Sequence, residues 1–196
     1  MSIITNPITP QSFEIVRDRL GEILDQELSS QAILTDDDRL DAAIYLQRSK
    51  EFTANELPAV NISLDNGVYT NHQRGVSDAI YTFHIDCYAA AEDSESATGD
   101  ILASLDMQRL LGVCRSILSN PVYRNLGFAA PFTNRVTVTG LTLLEVKTTE
   151  ESSIAGGRLS VDVAVQETTA LLNAAISDGH TTKIQLGTTL KGYQYE

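Results

Sequence analysis

Three histidines, two cysteines, a triple aspartate and a glycine pair are the residues of this chain whose types and spacing could do chemistry. His84 and Asp86 stand two apart, which places them on one face of a strand, where a carboxylate beside an imidazole could tune a general base. A solvated or interface face explains the same spacing. His72 falls in a polar stretch and His180 follows Asp178-Gly179, and nothing in the sequence pairs either with a second group. Cys87 and Cys114 each lie inside an apolar stripe, so they are expected to be buried free thiols rather than nucleophiles or ligands. Asp36-Asp37-Asp38 lacks the alternating ligands and central glycine of a calcium loop and reads as a turn or cap. Gly156-Gly157 precedes a strand-like run rather than a helix, so it reads as a turn and not as a phosphate cradle. No nucleophile elbow, zinc-binding H-E-x-x-H, P-loop or dinucleotide fingerprint occurs. The expectation is a protein without catalytic residues, cofactor or metal, whose function lies in its surfaces.

Those surfaces belong to a chain of 196 residues, 42% hydrophobic and 20% charged, with a formal net charge of −12. That size supports a core without disulfide staples. The acidic balance argues against a grip on nucleic acid, which needs Lys and Arg to neutralise phosphates. It fits a soluble protein, or a surface along which DNA passes without sticking. No apolar run approaches the length of a membrane span. The start, Met1-Ser-Ile-Ile-Thr-Asn-Pro7, has neither the basic nor the apolar region of a signal peptide.

The elements that must position the surfaces follow from periodicity. Residues 1–9 read as an extended N-terminal arm. Thr9-Pro10 suits a helix start, and Phe13, Val16, Leu20, Ile23, Leu24 and Leu28 recur at helical spacing until about Ser29-Ser30. Ala32 to Thr35 reads as a short strand, and Leu40 to Ser49 as a short helix or irregular excursion. Val60, Ile62 and Leu64 alternate with polar residues as in a half-buried strand. The chain then either turns at Asp65-Asn66-Gly67 or continues through Val68-Tyr69-Thr70 to a turn at residues 71–75. Tyr81, Phe83, Ile85 and Cys87 form the apolar face of the next strand. After the acidic loop Glu92–Glu95, Ile101, Leu102, Leu105, Leu110, Val113, Ile117 and Leu118 make a second helical stripe, stopped by Asn120-Pro121. Val136 and Val138 alternate, a phase shift at Gly140-Leu141 predicts a bulge, and Leu141, Leu143 and Val146 continue the strand. Thr148 to Gly157 reads as a loop, and Leu159, Val161, Val163 and Val165 alternate cleanly as the last strand. Residues 10–167 thus form one α+β domain: a curved, mainly antiparallel sheet with two principal helices packed on one face. Residues 168–196 form a C-terminal extension, too poor in apolar surface to make a core alone.

The layout resembles the tail terminator, or tail completion, proteins of long-tailed bacteriophages. Four stretches carry the resemblance: the helix Phe13–Leu28, Leu57-Pro-Ala-Val-Asn-Ile62, the strand Phe83–Ala90 with the helix Asp100–Leu118, and Asn120-Pro-Val-Tyr-Arg-Asn-Leu-Gly127. With the paired strands up to Gln166 they cover most of the chain. They match at the level of pattern, without a signature motif, and other phage neck and baseplate proteins, such as head completion or tube-initiating components, share much of this layout. The resemblance implies a structural virion protein at the tail–neck junction, assembled in the host cytoplasm. It implies a homo-hexameric ring that caps the tail tube, ends its polymerisation and meets the head connector, with the tail sheath as a further neighbour in contractile tails. It brings no catalytic residues. The excursion from Gln31 to Glu56 and the tail from Thr168 depart from smaller terminators.

A ring built from copies of one chain joins through edges and limbs. The arm, the stretch Asp65–Asp78, the loop Thr148–Gly157 and the tail from Asp178 are the expected joining segments. Ile3, Ile4, Tyr69, Arg74, Ile184, Leu186, Leu190 and Tyr193 are their expected assembly contacts. Asp93, Glu95, Glu150 and Glu151 are the acids expected to face a lumen through which DNA passes.

Overall fold

Alternation in the long strands builds one open sheet, and two helices cover one of its faces. The computed structural model describes residues 10–73, 76–130, 132–148, 152–168, 183–186 and 189–192. Helix α1 (Ser12–Thr35) is followed by strands β1 (Ala43–Leu46), β2 (Ala59–Gln73) and β3 (Val76–Ala91), then by helix α2 (Gly99–Leu118). Strands β4 (Thr133–Leu143), β5 (Lys147–Thr148) and β6 (Ser153–Thr168) complete the sheet, and β7 (Lys183–Leu186) and β8 (Thr189–Gly192) form a separate hairpin. The strand order is β1-β2-β3-β6-β4, with β5 also paired to β6. All pairs are antiparallel except β1 with β2. This is an α+β fold.

The core sits between that sheet and the helices. Val16, Leu20, Ile23, Leu24 and Leu28 of α1 and Leu110, Leu111, Cys114 and Leu118 of α2 are buried against Val60, Ile62, Phe83, Ile85, Leu159, Val161 and Val163. Each such side chain contributes about 1.5–3 kcal/mol by leaving water. Helix α1 packs on β1 and β2, α2 on β3 and β6, and the helices touch each other. The two cysteines meet across this layer as free thiols, with Sγ atoms 3.8 Å apart.

Several elements differ from their sequence expectation. Helix α1 begins at Ser12, where Gln11 is the N-cap and its amide donates to Glu14 Oε2 at 2.7 Å; Pro10 precedes the helix, and Thr9 lies outside the described residues. The helix runs on to Thr35, so residues 32–35 are its last turn and not a strand. It stops at Asp36, which takes the left-handed conformation at φ 52°. The excursion from Leu40 contains β1, which has only four residues and takes its order from β2 alongside. Asp65-Asn66-Gly67 is no turn: β2 continues to Gln73, paired with β3 throughout and bulged near Asp65 and Thr70. The stretch 65–78 is therefore mostly sheet, not loop. The bulge expected near Gly140 is present, between Val138 and Gly140.

Strand β4 ends at Leu143 rather than running on to Val146. Gly156 and Gly157 are not a turn but lie buried within β6, which starts at Ser153. A Cβ on Gly157 would sit 2.5 Å from Met107 Sδ, so α2 crosses the sheet there because the residue has no side chain. Helix α2 is also rotated from expectation. It buries Ala103, Met107, Leu110, Leu111, Cys114, Ile117 and Leu118, leaving Ile101 51% and Leu105 57% exposed.

Candidate interaction surfaces

On the sheet face away from the helices, β2, β3 and β6 floor a cleft of about 410 Å³, with residues 48–52 on one side and residues 144–147 on the other. In its floor Asp86, almost fully buried, accepts two hydrogen bonds from Arg158, Nε to Oδ1 at 2.6 Å and Nη2 to Oδ2 at 2.8 Å. This contact holds the guanidinium pKa above its ordinary value and turns the expected solvated face of Asp86 into an ion pair. His84, on the same strand face, points to Asp65 at 3.8 Å instead, so His84 and Asp86 do not form a pair.

The walls are built in the same way. Asn61 clamps the backbone of Arg48, accepting from its amide at 2.9 Å and donating to its carbonyl at 3.0 Å. The Arg48 guanidinium lies over the rings of Phe52 and Tyr45, at 4.3 and 4.8 Å, and bonds both Glu56 oxygens at 2.8 and 3.0 Å. Glu56 also accepts from the amide and hydroxyl of Thr53 at 3.0 and 2.9 Å. The Thr53 amide first, then Arg48 and the Thr53 hydroxyl, pull the Glu56 carboxyl down to about 2. Lys147 and Glu51 bridge the two walls at 2.5 Å. The cleft has the volume of a small-molecule site, but its arginines, and Lys147, are already matched by carboxylates of the same chain.

A second polar cluster ties the two ends of the domain together. Glu167, near the end of β6, accepts hydrogen bonds from Ser12 Oγ at the start of α1 and from Tyr81 Oη. Tyr69 Oη lies 3.2 Å from Tyr81 Oη. Burial, then the bond to Glu167, push the Tyr81 phenol far above its ordinary range. The described domain therefore begins and ends toward the turn end of the long β2–β3 pair, where Glu167 lies opposite Ser77.

The lateral edges of the sheet form a third surface. Strand β1 ends it on one side and β4 on the other. Beside β1, an open groove of about 460 Å³ runs under α1, between Asp18, Gly21, Glu22 and Asp25 above and Ile44 and Leu46 below. On β4, Leu141 and Leu143 are 53% and 55% exposed, and on β1 Leu46 is 42% exposed.

Of the residues expected to make assembly contacts, Tyr69 is the one whose side chain is described. It stands half-exposed on β2, next to Val68. Ile184, Leu186 and Leu190 lie on the β7–β8 hairpin, which pairs with itself and not with the large sheet. Of the expected lumen acids, Asp93 and Glu95 are both exposed; Asp93 Oδ1 also accepts from the Gly99 amide at 2.6 Å and so helps to start α2. Ile3, Ile4, Arg74, Glu150, Glu151 and Tyr193 lie outside the described residues. Leu46, Leu141 and Leu143 were not among the expected contacts. The sequence signal for them is the complete lack of charge from Val136 to Leu144 and from Ala42 to Gln47.

No model of a known protein family and no curated protein matches the chain.

Proposed function

We propose that this chain is a structural virion protein of the tail-terminator kind: a hexameric ring that caps a phage tail tube, ends its growth and joins it to the head connector. Support comes from the pattern-level resemblance described above, and one structural observation carries it furthest. The sheet is open, with an uncharged, partly apolar stretch at each lateral edge, Ala42–Gln47 and Val136–Leu144, while the arginines of the cleft pair with carboxylates of the same chain. A chain organised in this way has unfinished edges rather than an unfinished pocket, and unfinished edges are completed by other chains.

The ring's partners are the tail tube below, the connector above and, in a contractile tail, the sheath around it. The hexamer carries six times −12, or −72, formal charges. An acidic lumen of that kind repels DNA phosphate and limits sticking during passage. Negative-stain images of the purified protein, alone and with isolated tail tubes, test the reading. Six-fold rings, free or on tube ends, are the expected result. A phage lacking the protein should make tails of uncontrolled length, and tails of normal length in that mutant would remove the proposal.

A further inference from the structure

We infer that neighbouring copies join edge to edge, β4 of one copy pairing antiparallel with β1 of the next, so that the sheet runs on from protomer to protomer. This contact rests on the ring reading above and specifies which surfaces close the ring.

The two edges match in height. Following the registers across the sheet, Leu141 is level with Leu159, Ile85, Ile62 and Leu46, and Leu143 with Gly157, Cys87, Val60 and Ile44. They match in direction as well: β1 runs parallel to β2, and each later step in the order β2-β3-β6-β4 is antiparallel, so β4 runs opposite to β1. A β4 placed beside the next copy's β1 is therefore antiparallel without any shift along the strands. A head-to-tail contact without such a shift favours a closed ring over a climbing filament.

The backbone groups match too. Ala43 and Gln47 donate inward, to the carbonyls of Pro58 and Ile62 at 3.1 and 2.8 Å. Alternation along the strand then turns the amides of Ile44 and Leu46 outward. Leu144 donates inward to Gly156 at 2.8 Å, which turns Leu143 and Leu141 outward on the other edge. Leu141 would thus face Leu46 of the next copy, and Leu143 its Ile44, each pair exchanging two hydrogen bonds. Higher on β4 the edge is closed, because Val136 donates to the Arg124 carbonyl at 3.0 Å. Among the described residues, nothing pairs with the outer side of β4 at Leu141 and Leu143, the part that lies level with β1.

The side chains fit the same pairing. Leu141 and Leu143 share the helix-covered face with Ile44 and Leu46, so the rows that form the core in one copy continue as apolar rows into the next. Neither Ala42–Gln47 nor Val136–Leu144 carries the charges that normally guard an open strand; Arg135 lies farther along β4, beside the Val136–Arg124 hydrogen bond. Five strands about 4.8 Å apart span roughly 24 Å, and two helices about 10 Å apart cover roughly 20 Å. The helix layers of adjacent copies thus leave room between them for the leucines of β4.

Native mass spectrometry and cysteine pairing test this contact. Wild-type protein should appear near six times its 21.3 kDa. A Leu141→Lys/Leu143→Lys variant, at two exposed positions, should keep its circular dichroism and melting temperature but fall to the monomer mass. Directly opposed residues in such a pair have Cα atoms about 5.5 Å apart, within disulfide range. Leu46→Cys with Leu141→Cys should therefore give a ladder of covalent multimers on mild oxidation, whereas Leu46→Cys with Thr137→Cys, four residues out of register, should not. A wild-type hexamer that persists in the lysine variant and gives no Leu46–Leu141 ladder would overturn this contact and leave the ring reading standing. A wild-type protein that stays monomeric, alone and with tail tubes, would overturn both.

Discussion

Replacing Gly157 with alanine is a direct test of how α2 meets the sheet. The new Cβ would lie 2.5 Å from Met107 Sδ and 3.1 Å from Leu111 Cδ2, against a comfortable separation of about 3.5–4 Å between such atoms. Met107 and Leu111 are themselves buried, so they have little empty space to move into. Overpacking of this kind costs about 1–3 kcal/mol. For a domain of this length that lowers the melting temperature by roughly 2–12 °C. Thermal and urea unfolding followed by far-UV circular dichroism would measure the loss. Gly112→Ala is the control: it adds the same methyl on the exposed side of α2, with no atom within 4 Å, and should stabilise by about 0.5–1 kcal/mol. Met107→Ala should be less damaging in the Gly157→Ala background than in the wild type, because it removes the obstructing sulfur. A Gly157→Ala protein as stable as wild type, or strictly additive effects of the two substitutions, would refute this account of the helix–sheet contact.

Leu105→Asp should fold normally, since that side chain faces solvent, whereas Leu110→Asp should give insoluble or unfolded protein by burying an unpaired charge; soluble yield and circular dichroism compare the two. Arg158→Ala should cost about 3 kcal/mol in urea unfolding, because it strands the buried Asp86 carboxylate, and Asp86→Leu/Arg158→Met should recover much of the loss. Glu56 has a folded pKa near 2 against an ordinary value of 4.5, so the stability it lends is present above about pH 4.5 and fades as the pH falls towards 2. A carboxyl NMR titration of Glu56 with a midpoint near 4.5 would contradict the contacts described around Thr53 and Arg48.

How much of this fold was legible in the sequence depended on whether apolar residues marked one face or several. In α1 the stripe from Phe13 to Leu28 has polar residues on its other sides, and the face it predicts is the face that is buried. Helix α2 has Ile101, Leu102, Leu105, Leu111 and Val113 spread around its axis, so spacing alone fits more than one rotation. The buried arc uses Ala103 and Met107, whose size and shape suit the close crossing at Gly157. Strand β1 was hidden because four residues carry little periodic signal and its pairing partner lies beyond a connector of some length. Gly156-Gly157 was misleading because glycine marks turns and close backbone approaches alike, and only the helix above distinguishes them. The interaction surfaces were the least legible part. The lack of charge over Val136–Leu144 and Ala42–Gln47 is plain in the sequence, but that both stretches lie at lateral edges of the sheet, and at one height, follows only from the strand order and register.

The acidic balance and the uncharged edges then act at different ranges. Exposed acids such as Asp36, Glu92 and Glu95 lie in turns and loops outside the edge strands. At physiological ionic strength the field of such charges fades over about 8 Å. It therefore keeps copies apart in random orientations without reaching strongly into an aligned edge pair. Acids do border the joint: Asp18, Glu22 and Asp25 line the groove above Ile44 and Leu46, and the exposed Asp41 and Glu145 flank β1 and β4. Asp18 and Glu22 are partly neutralised by Arg17 and Arg19 of the same helix, at 2.6 and 2.8 Å. The part of β4 that enters beneath them, Gly140 to Leu143, brings no charge of its own, so it meets neither strong attraction nor repulsion there. Selectivity for the joint would then come from backbone register and leucine packing, while the net charge suppresses every other way in which two copies could stick.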